Sequence, residues 1–308
     1  MSELLEQSNV REVDTVVVPL AGLGTRMHPF TMDNPKFMAP VYDTYENEAV
    51  PNVDYTFKEL VSAEVKNVIC VVNPGGETVL RRHLGPMDPQ RESDLRAQNK
   101  LQLLKNELRF RSMFANVNFS FVVQELDGPY GTAVPVGLVR KQIESGKTFS
   151  IWGGDDFFWH PNGSSELASA IASWRNSNAE NAIVGKPVAR EDGPRYGILQ
   201  ANKGLLERIV EKPPLQNLPE GVDPLANVSR YIVGEAMWEY LDRYLSQPST
   251  NPNDEYYFTD VVNLMVADGH DFHVHAAQNM YFDAGTVKSI TKAGVDISKA
   301  RAEWALIA

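Results

Sequence analysis

Short apolar runs alternate with amphipathic stretches through the first two thirds of the chain. Thr15–Leu20, Asn67–Asn73, Asn118–Val123, Thr148–Trp152 and Asn181–Lys186 are apolar runs bounded by polar or turn-forming residues, and each predicts a buried strand. Between them the period changes. Val53–Ala63 carries apolar side chains at Val53, Phe57, Leu60 and Val61, and Glu166–Arg175 carries them at Leu167, Ile171 and Trp174. That spacing places each set on one face of a helix. Strand and helix in alternation predict an α/β fold, Rossmann-like, with a mainly parallel (mixed) central sheet and helices on both faces. Ligands of such sheets bind at the carboxyl ends of the strands.

Two segments break this rhythm. Asp43-Thr-Tyr-Glu-Asn-Glu-Ala-Val50 is polar, acidic and without a clear period, and predicts a loop. Asp88–Phe114 is long, charged and helix-forming, with Leu95, Leu101, Leu104, Leu108 and Phe110 as its apolar positions. It predicts a surface helical arm, packed on its own domain or used as an oligomer contact. After Tyr196 the runs shorten to Tyr196–Gln200, Leu205–Val210 and Asn227–Val233, the last leading into a helix at Glu235–Leu245. They predict a small β region over the ligand cleft, and Thr286–Ala308 predicts a final helix.

Composition narrows the classes. With 308 residues, 43% hydrophobic and 22% charged, the chain can bury one large core as a single domain. A formal charge of -11 argues against general binding to nucleic acid or anionic membranes. The single cysteine, Cys70, lies in the apolar run Val68–Val72, so no intrachain disulfide forms, which suits a reducing compartment. Met1-Ser-Glu-Leu-Leu-Glu-Gln-Ser-Asn9 has neither a basic nor an apolar leader region, and no stretch approaches the ~20 apolar residues that span a bilayer. These features predict a cytoplasmic protein without nucleic-acid or membrane partners.

Candidate chemistry begins where the first strand ends. Thr15–Val18 runs into Leu20-Ala-Gly-Leu-Gly-Thr-Arg26, with Pro35-Lys36 shortly after. Glycines let backbone amides approach an anion, and Arg26 and Lys36 add the charge that a polyphosphate needs. The order proposes a nucleoside triphosphate site, although a plain glycine turn after a strand fits the same spelling. A dinucleotide fingerprint would need a third glycine where Met27 stands, and a Walker A loop would need Gly-Lys-Ser/Thr in place of Thr25-Arg26. Ile151-Trp-Gly-Gly-Asp155-Asp156 brings carboxylates to a strand end, suited to Mg2+ or to a turn cap. His273 and His275, with His270 nearby, read as solvated residues of an edge strand rather than a metal site.

Gly22-Leu-Gly-Thr-Arg-Met-His-Pro29 and Pro35-Lys-Phe-Met-Ala-Pro40 resemble the signature of the sugar-1-phosphate nucleotidyltransferases. The branch they most resemble is the bacterial UTP–glucose-1-phosphate uridylyltransferases, which carry a helical insertion like Asp88–Phe114. The resemblance runs from about Thr15 to about Gly294. It implies transfer of a nucleotidyl group, from UTP in that branch, to a sugar 1-phosphate such as glucose 1-phosphate, with Mg2+ as cofactor. It implies Asp155 and Asp283 (in Tyr281-Phe-Asp-Ala-Gly-Thr286) as metal ligands, and Arg26, Lys36 and Lys212 as the cations on the phosphates. It places the nucleotide on Leu20, Ala21, Gly22, Leu23, Gly24, Thr25, Gln124 and Gly131, and the sugar phosphate on Gly197, Glu211 and Lys212. One nucleotidyltransferase domain over 1–308 follows: a nucleotide-binding core (11–195) with the helical insertion (88–114), a sugar-binding part (196–285) and a C-terminal helix (286–308), expected as a homo-oligomer. The chain departs from the family at Phe37, where a glutamate is usual, at Asp43–Val50 in place of Asp-Lys-Pro, and at Glu125–Tyr130, which lacks Lys-Gly-Leu.

Overall fold

The computed structural model describes residues 11–307; Met1–Val10 and Ala308, on which the leader reading and the last helical position fall, lie outside them. In chain order the strands are β1 (Thr15–Pro19), β2 (Pro40–Asp43), β3 (Glu48–Pro51), β4 (Asn67–Val72), β5 (Asn118–Val123), β6 (Phe149–Trp152), β7 (Asp156–Trp159), β8 (Asn181–Pro187), β9 (Gly197–Asn202), β10 (Leu205–Glu211), β11 (Leu225–Val233), β12 (Phe272–Ala276) and β13 (Met280–Asp283). The helices are α1 (Asn52–Ser62), α2 (Gly76–Leu84), α3 (Pro89–Ala97), α4 (Leu101–Ser112), α5 (Val134–Leu138), α6 (Glu166–Asn176), α7 (Met237–Leu245), α8 (Phe258–Ala267) and α9 (Val287–Ala305).

Nine strands form one sheet in the order β5-β4-β1-β6-β11-β8-β12-β10-β9. Pairings β5–β4, β4–β1, β1–β6 and β8–β12 are parallel, and only β10 and β11 run against the other strands. Successive residues of the β-branched strands enter opposite cores. Val16, Val18, Val68 and Cys70 pack with Phe57 and Leu60 of α1 and Trp174 of α6. Val17, Ile69 and Val71 pack with Trp238 and Leu241 of α7 and Val261 and Met265 of α8. Each such side chain contributes roughly 1.5–3 kcal/mol by leaving water. The two-sided cover explains why these strands read as continuous apolar runs.

Three expectations change. The shortened runs after Tyr196 are not a separate cover. β9 and β10 continue the central sheet, and β9 curls back to pair with β11 at Leu199↔Leu225 and Ile198↔Ala226. Asp43–Val50 is not a loop but most of a hairpin, β2–β3, that turns through Asn47 in the left-handed region (φ 56°). Its turn end is fastened to α9: Arg301 Nε meets the buried Asp43 carboxylate at 2.6 Å, and Ser298 Oγ donates to Asp43 Oδ1 at 3.1 Å. The arm is two helices rather than one, because Asn99 takes φ 54° between α3 and α4. Leu95 and Leu104 are buried there, while Leu101, Leu103 and Leu108 are exposed.

Candidate active site

The carboxyl ends of β1, β5 and β6 frame a cavity of about 250 Å³, lined by Leu20–Leu23, Lys36, Gln124, Tyr130, Gly131, Asp155 and Glu255 among others. The apolar sheet fixes each contributor. Leu20 N donates to Val71 O at 2.7 Å, and Gln124 N donates to Val72 O at 2.8 Å, so both loops leave the sheet side by side. Gly131 is tied to a second loop by Tyr256 N on Tyr130 O at 2.8 Å and by Ala133 N on Tyr256 O at 3.0 Å.

The glycine loop divides its residues between two places. Leu20 to Leu23 line the cavity, whereas Gly24 turns the chain with φ 65°. A Cβ there would stand 2.7 Å from Lys36 Cβ and 2.9 Å from Thr31 Cγ2, so only glycine fits. Thr25 opens a short 3-10 turn, and Arg26 leaves the cavity for the Asp283–Gly285 turn. A Cβ on Gly285 would lie 2.9 Å from Arg26 Nη2 and 2.8 Å from Asp283 Oδ1.

Lys36, 8% exposed, points its ammonium at Asp155 Oδ2 at 2.7 Å. The enclosing walls work to raise the Asp155 carboxyl, but the ammonium beside it outweighs them and holds it below the usual carboxylate value. Asp155 lies in the turn Gly153-Gly154-Asp155 between β6 and β7, with 59% of its side chain open to the cleft. Asp283 ends β13 and pairs with Asp156 on β7, the residue that follows Asp155. Asp283 Oδ1 accepts from Gly285 N at 2.7 Å. Two carboxylates suit Mg2+, which keeps waters and fills its octahedron with substrate phosphate oxygens. No group of three or more His, Cys, Asp or Glu fit for a metal occurs among the described residues.

Gly197, Glu211 and Lys212 sit together on the curled end of the sheet rather than on the cavity lining. Gly197 pairs with Glu211 across β9–β10, and a Cβ on it would lie 2.7 Å from Glu211 Oε2. Lys212 takes φ 43° immediately before Pro213, with its amide on Tyr196 O at 3.0 Å. A non-glycine residue held there is strained, a feature that concentrates at functional sites.

Sequence reasoning passed over Arg230, which organises the floor of the site. Its guanidinium, fully buried, meets Asp156 Oδ1 at 2.6 Å and donates to the Asp156 and Val228 carbonyls at 2.9 Å each. Tyr281 Oη also donates to Asp156. Burial, opposed by Arg230, pushes the Asp156 carboxyl above its ordinary value. The only signal in the sequence was the doubled aspartate: one faces in and one faces out. The histidines are not on an edge, because β12 lies between β8 and β10, and each has its own partner. His270 meets Glu180, His273 meets Ser173 and His275 meets the buried Glu166, all at 2.7 Å.

Residues 16–300 match the family described as nucleotidyl transferase. UTP–glucose-1-phosphate uridylyltransferase of Haemophilus ducreyi is 28% identical over 264 residues, 82% of each chain. The protein of the same name from Bacillus subtilis is 26% identical over 240 residues, 76% of this chain and 75% of that one. A UTP-bound UGPase from Acinetobacter baumannii shares the fold, with a TM-score of 0.77 at 23% identity over 96% of this chain and 98% of that one. With the match running from β1 into α9, the chain belongs to the nucleotidyl transferase family.

Proposed function

We propose that this chain is a single-domain uridylyltransferase that converts UTP and glucose 1-phosphate to UDP-glucose and pyrophosphate with Mg2+. The Lys36–Asp155 pair at 2.7 Å, facing the glycine loop across one cavity, carries the reading in a chain whose relatives are named for that reaction. A Rossmann-like nucleotide-binding core (11–195) would hold the triphosphate, and residues 196–285 the sugar phosphate.

A phosphate oxygen of glucose 1-phosphate attacks the α-phosphorus of UTP in line, the α–β bridging oxygen departs with pyrophosphate, and one phosphoanhydride bond replaces another. The attacking oxygen is already anionic, so no general base is needed, and catalysis is positioning and charge neutralisation. Amides of Leu20–Leu23 and the ammonium of Lys36 take the triphosphate, and Gln124 offers a donor and an acceptor to the uracil edge. Lys212 neutralises the phosphate of the acceptor while Glu211 accepts from its hydroxyls. Arg26, beside Asp283, adds positive charge near the departing pyrophosphate. Asp155 and Asp283 would hold Mg2+, which when bound neutralises phosphate oxygens of both substrates.

Pyrophosphate release, measured across nucleoside triphosphates and sugar 1-phosphates with Mg2+, tests the reading. UTP with glucose 1-phosphate is expected to be the fastest pair. Preference for dTTP or CTP would move the proposal to another nucleotide, and no release with any pair would leave a silent sugar-nucleotide binder. The expected homo-oligomer would use the exposed Leu101, Leu103 and Leu108 of α4, and light scattering of Leu108→Glu against the parent checks it.

A further inference from the structure

Asn52, the first residue of α1, is 1% exposed and reaches back to the segment that carries Lys36. Its Nδ2 donates to Lys36 O at 2.9 Å and to Ala39 O at 3.3 Å. These carbonyls bracket the 3-10 turn Lys36–Met38. Neither needs the asparagine for its own sake. Ala39 N already donates to Lys36 O at 3.0 Å, and Asn52 N already donates to Ala39 O at 3.0 Å. The asparagine also carries a liability, because its buried Oδ1 has no hydrogen-bond partner. A buried polar atom left unpaired opposes folding. A leucine, with the same number of side-chain heavy atoms though bulkier ones, would leave every backbone group paired and remove that orphan, so hydrogen bonding alone does not call for an amide here.

We propose that Asn52 is a positioning residue for Lys36, gripping both ends of its turn so that the ammonium is delivered to the cleft beside Asp155. The proposal rests on Lys36 acting in the transfer reaction. The turn also abuts Gly24, where a Cβ would stand 2.7 Å from Lys36 Cβ, so no additional atom fits there. Asn52 and the glycine loop therefore both hold the turn, and the asparagine couples Lys36 to α1.

Asn52→Leu, with Asn52→Met as a second apolar variant, tests it. The unfolding temperature is expected to stay level or rise while kcat falls by about ten- to a hundredfold, the scale of an ångström misplacement. KM for UTP should move less than kcat. In a Lys36→Met background neither variant should cost further activity. Full activity, a loss that adds in full to that of Lys36→Met, or an unfolding temperature that falls in step with activity in both variants would overturn the proposal. Acetylation of Lys36 by acetic anhydride, read by mass spectrometry, needs no turnover: the variants should raise its rate several-fold with the other lysines unchanged. A parent protein that releases no pyrophosphate would defeat the proposed function, whereas unchanged Lys36 labelling would defeat the positioning role.

Discussion

Arg230 pairs with Asp156 at 2.6 Å with no solvent exposure of the arginine side chain, packed near the Trp152 ring, 5.2 Å from its centroid. The pair ties β11 to the start of β7, one residue after the candidate metal ligand. It also fixes which of two adjacent aspartates looks into the cleft. Removing one member of such a pair strands a buried charge, so Arg230→Met is expected to destabilise the fold by ~3–5 kcal/mol. Urea unfolding measures this, and a loss below about 1 kcal/mol would count the pair as dispensable.

Lys36 and Asp155 should behave in the opposite way. Asp155 is open to solvent, so their pair contributes little to folding, on the order of 0–1 kcal/mol. Lys36→Met is expected to unfold within ~1 kcal/mol of the parent, and Asp155→Asn, which leaves the buried Lys36 ammonium without its partner, somewhat below it. The first should lose roughly 10²–10³ in kcat, by analogy with the removal of an oxyanion donor. The second should abolish turnover. Steady-state kinetics beside thermal unfolding separates the effects, and an active Asp155→Asn would remove that residue from the metal site.

Glu59 lies buried under Trp152 Nε1 at 3.1 Å and Leu167 N at 3.0 Å, and burial pushes its carboxyl from 4.5 up to about 7, with Arg230 opposing. Folding therefore favours the protonated form. Its contribution is fully present below the unfolded value near 4.5 and is lost as pH rises through about 7. The difference is on the order of 3 kcal/mol. Glu166 works in the opposite sense: despite burial, its bonds from His275 and from the Gln278 and Asn279 amides hold it below the ordinary value, so its contribution is lost on acidification. Urea midpoints between pH 5 and pH 8 should fall for the parent and flatten for Glu59→Gln.

Gly24→Ala is expected to be harmful beyond its size. The left-handed backbone costs a non-glycine residue roughly 1–2 kcal/mol, and the added methyl group meets Lys36 Cβ at 2.7 Å. A raised KM for UTP together with a lowered unfolding temperature checks this. A normal KM would detach the loop from the nucleotide.

The parallel half of the sheet is legible in the sequence because two-sided burial writes itself as unbroken apolar runs, as at Val68–Val72. The glycine loop and both strand-end aspartates are legible because their chemistry is local. The hairpin β2–β3 is not, since its exposed positions alternate nothing and its anchor, Arg301, lies far along the chain. The bend at Asn99 is hidden in a stretch rich in helix-forming Gln, Arg, Leu, Lys and Glu. Arg230 and Asn52 escape for a common reason: each acts through a partner distant in sequence, and no periodicity marks a polar residue whose use is to hold another in place. That Asp283 pairs with the residue after Asp155 follows only from the register of β7 on β13.

The fastening of Asp43 by Arg301 and Ser298 gives α9 a second occupation. The helix that leaves Asp283 at one end clasps, near its other end, the hairpin that follows Lys36. A substitution along that helix, far from any substrate, is thus placed to disturb both the turn that carries Asp283 and the hairpin that continues from the Lys36 segment.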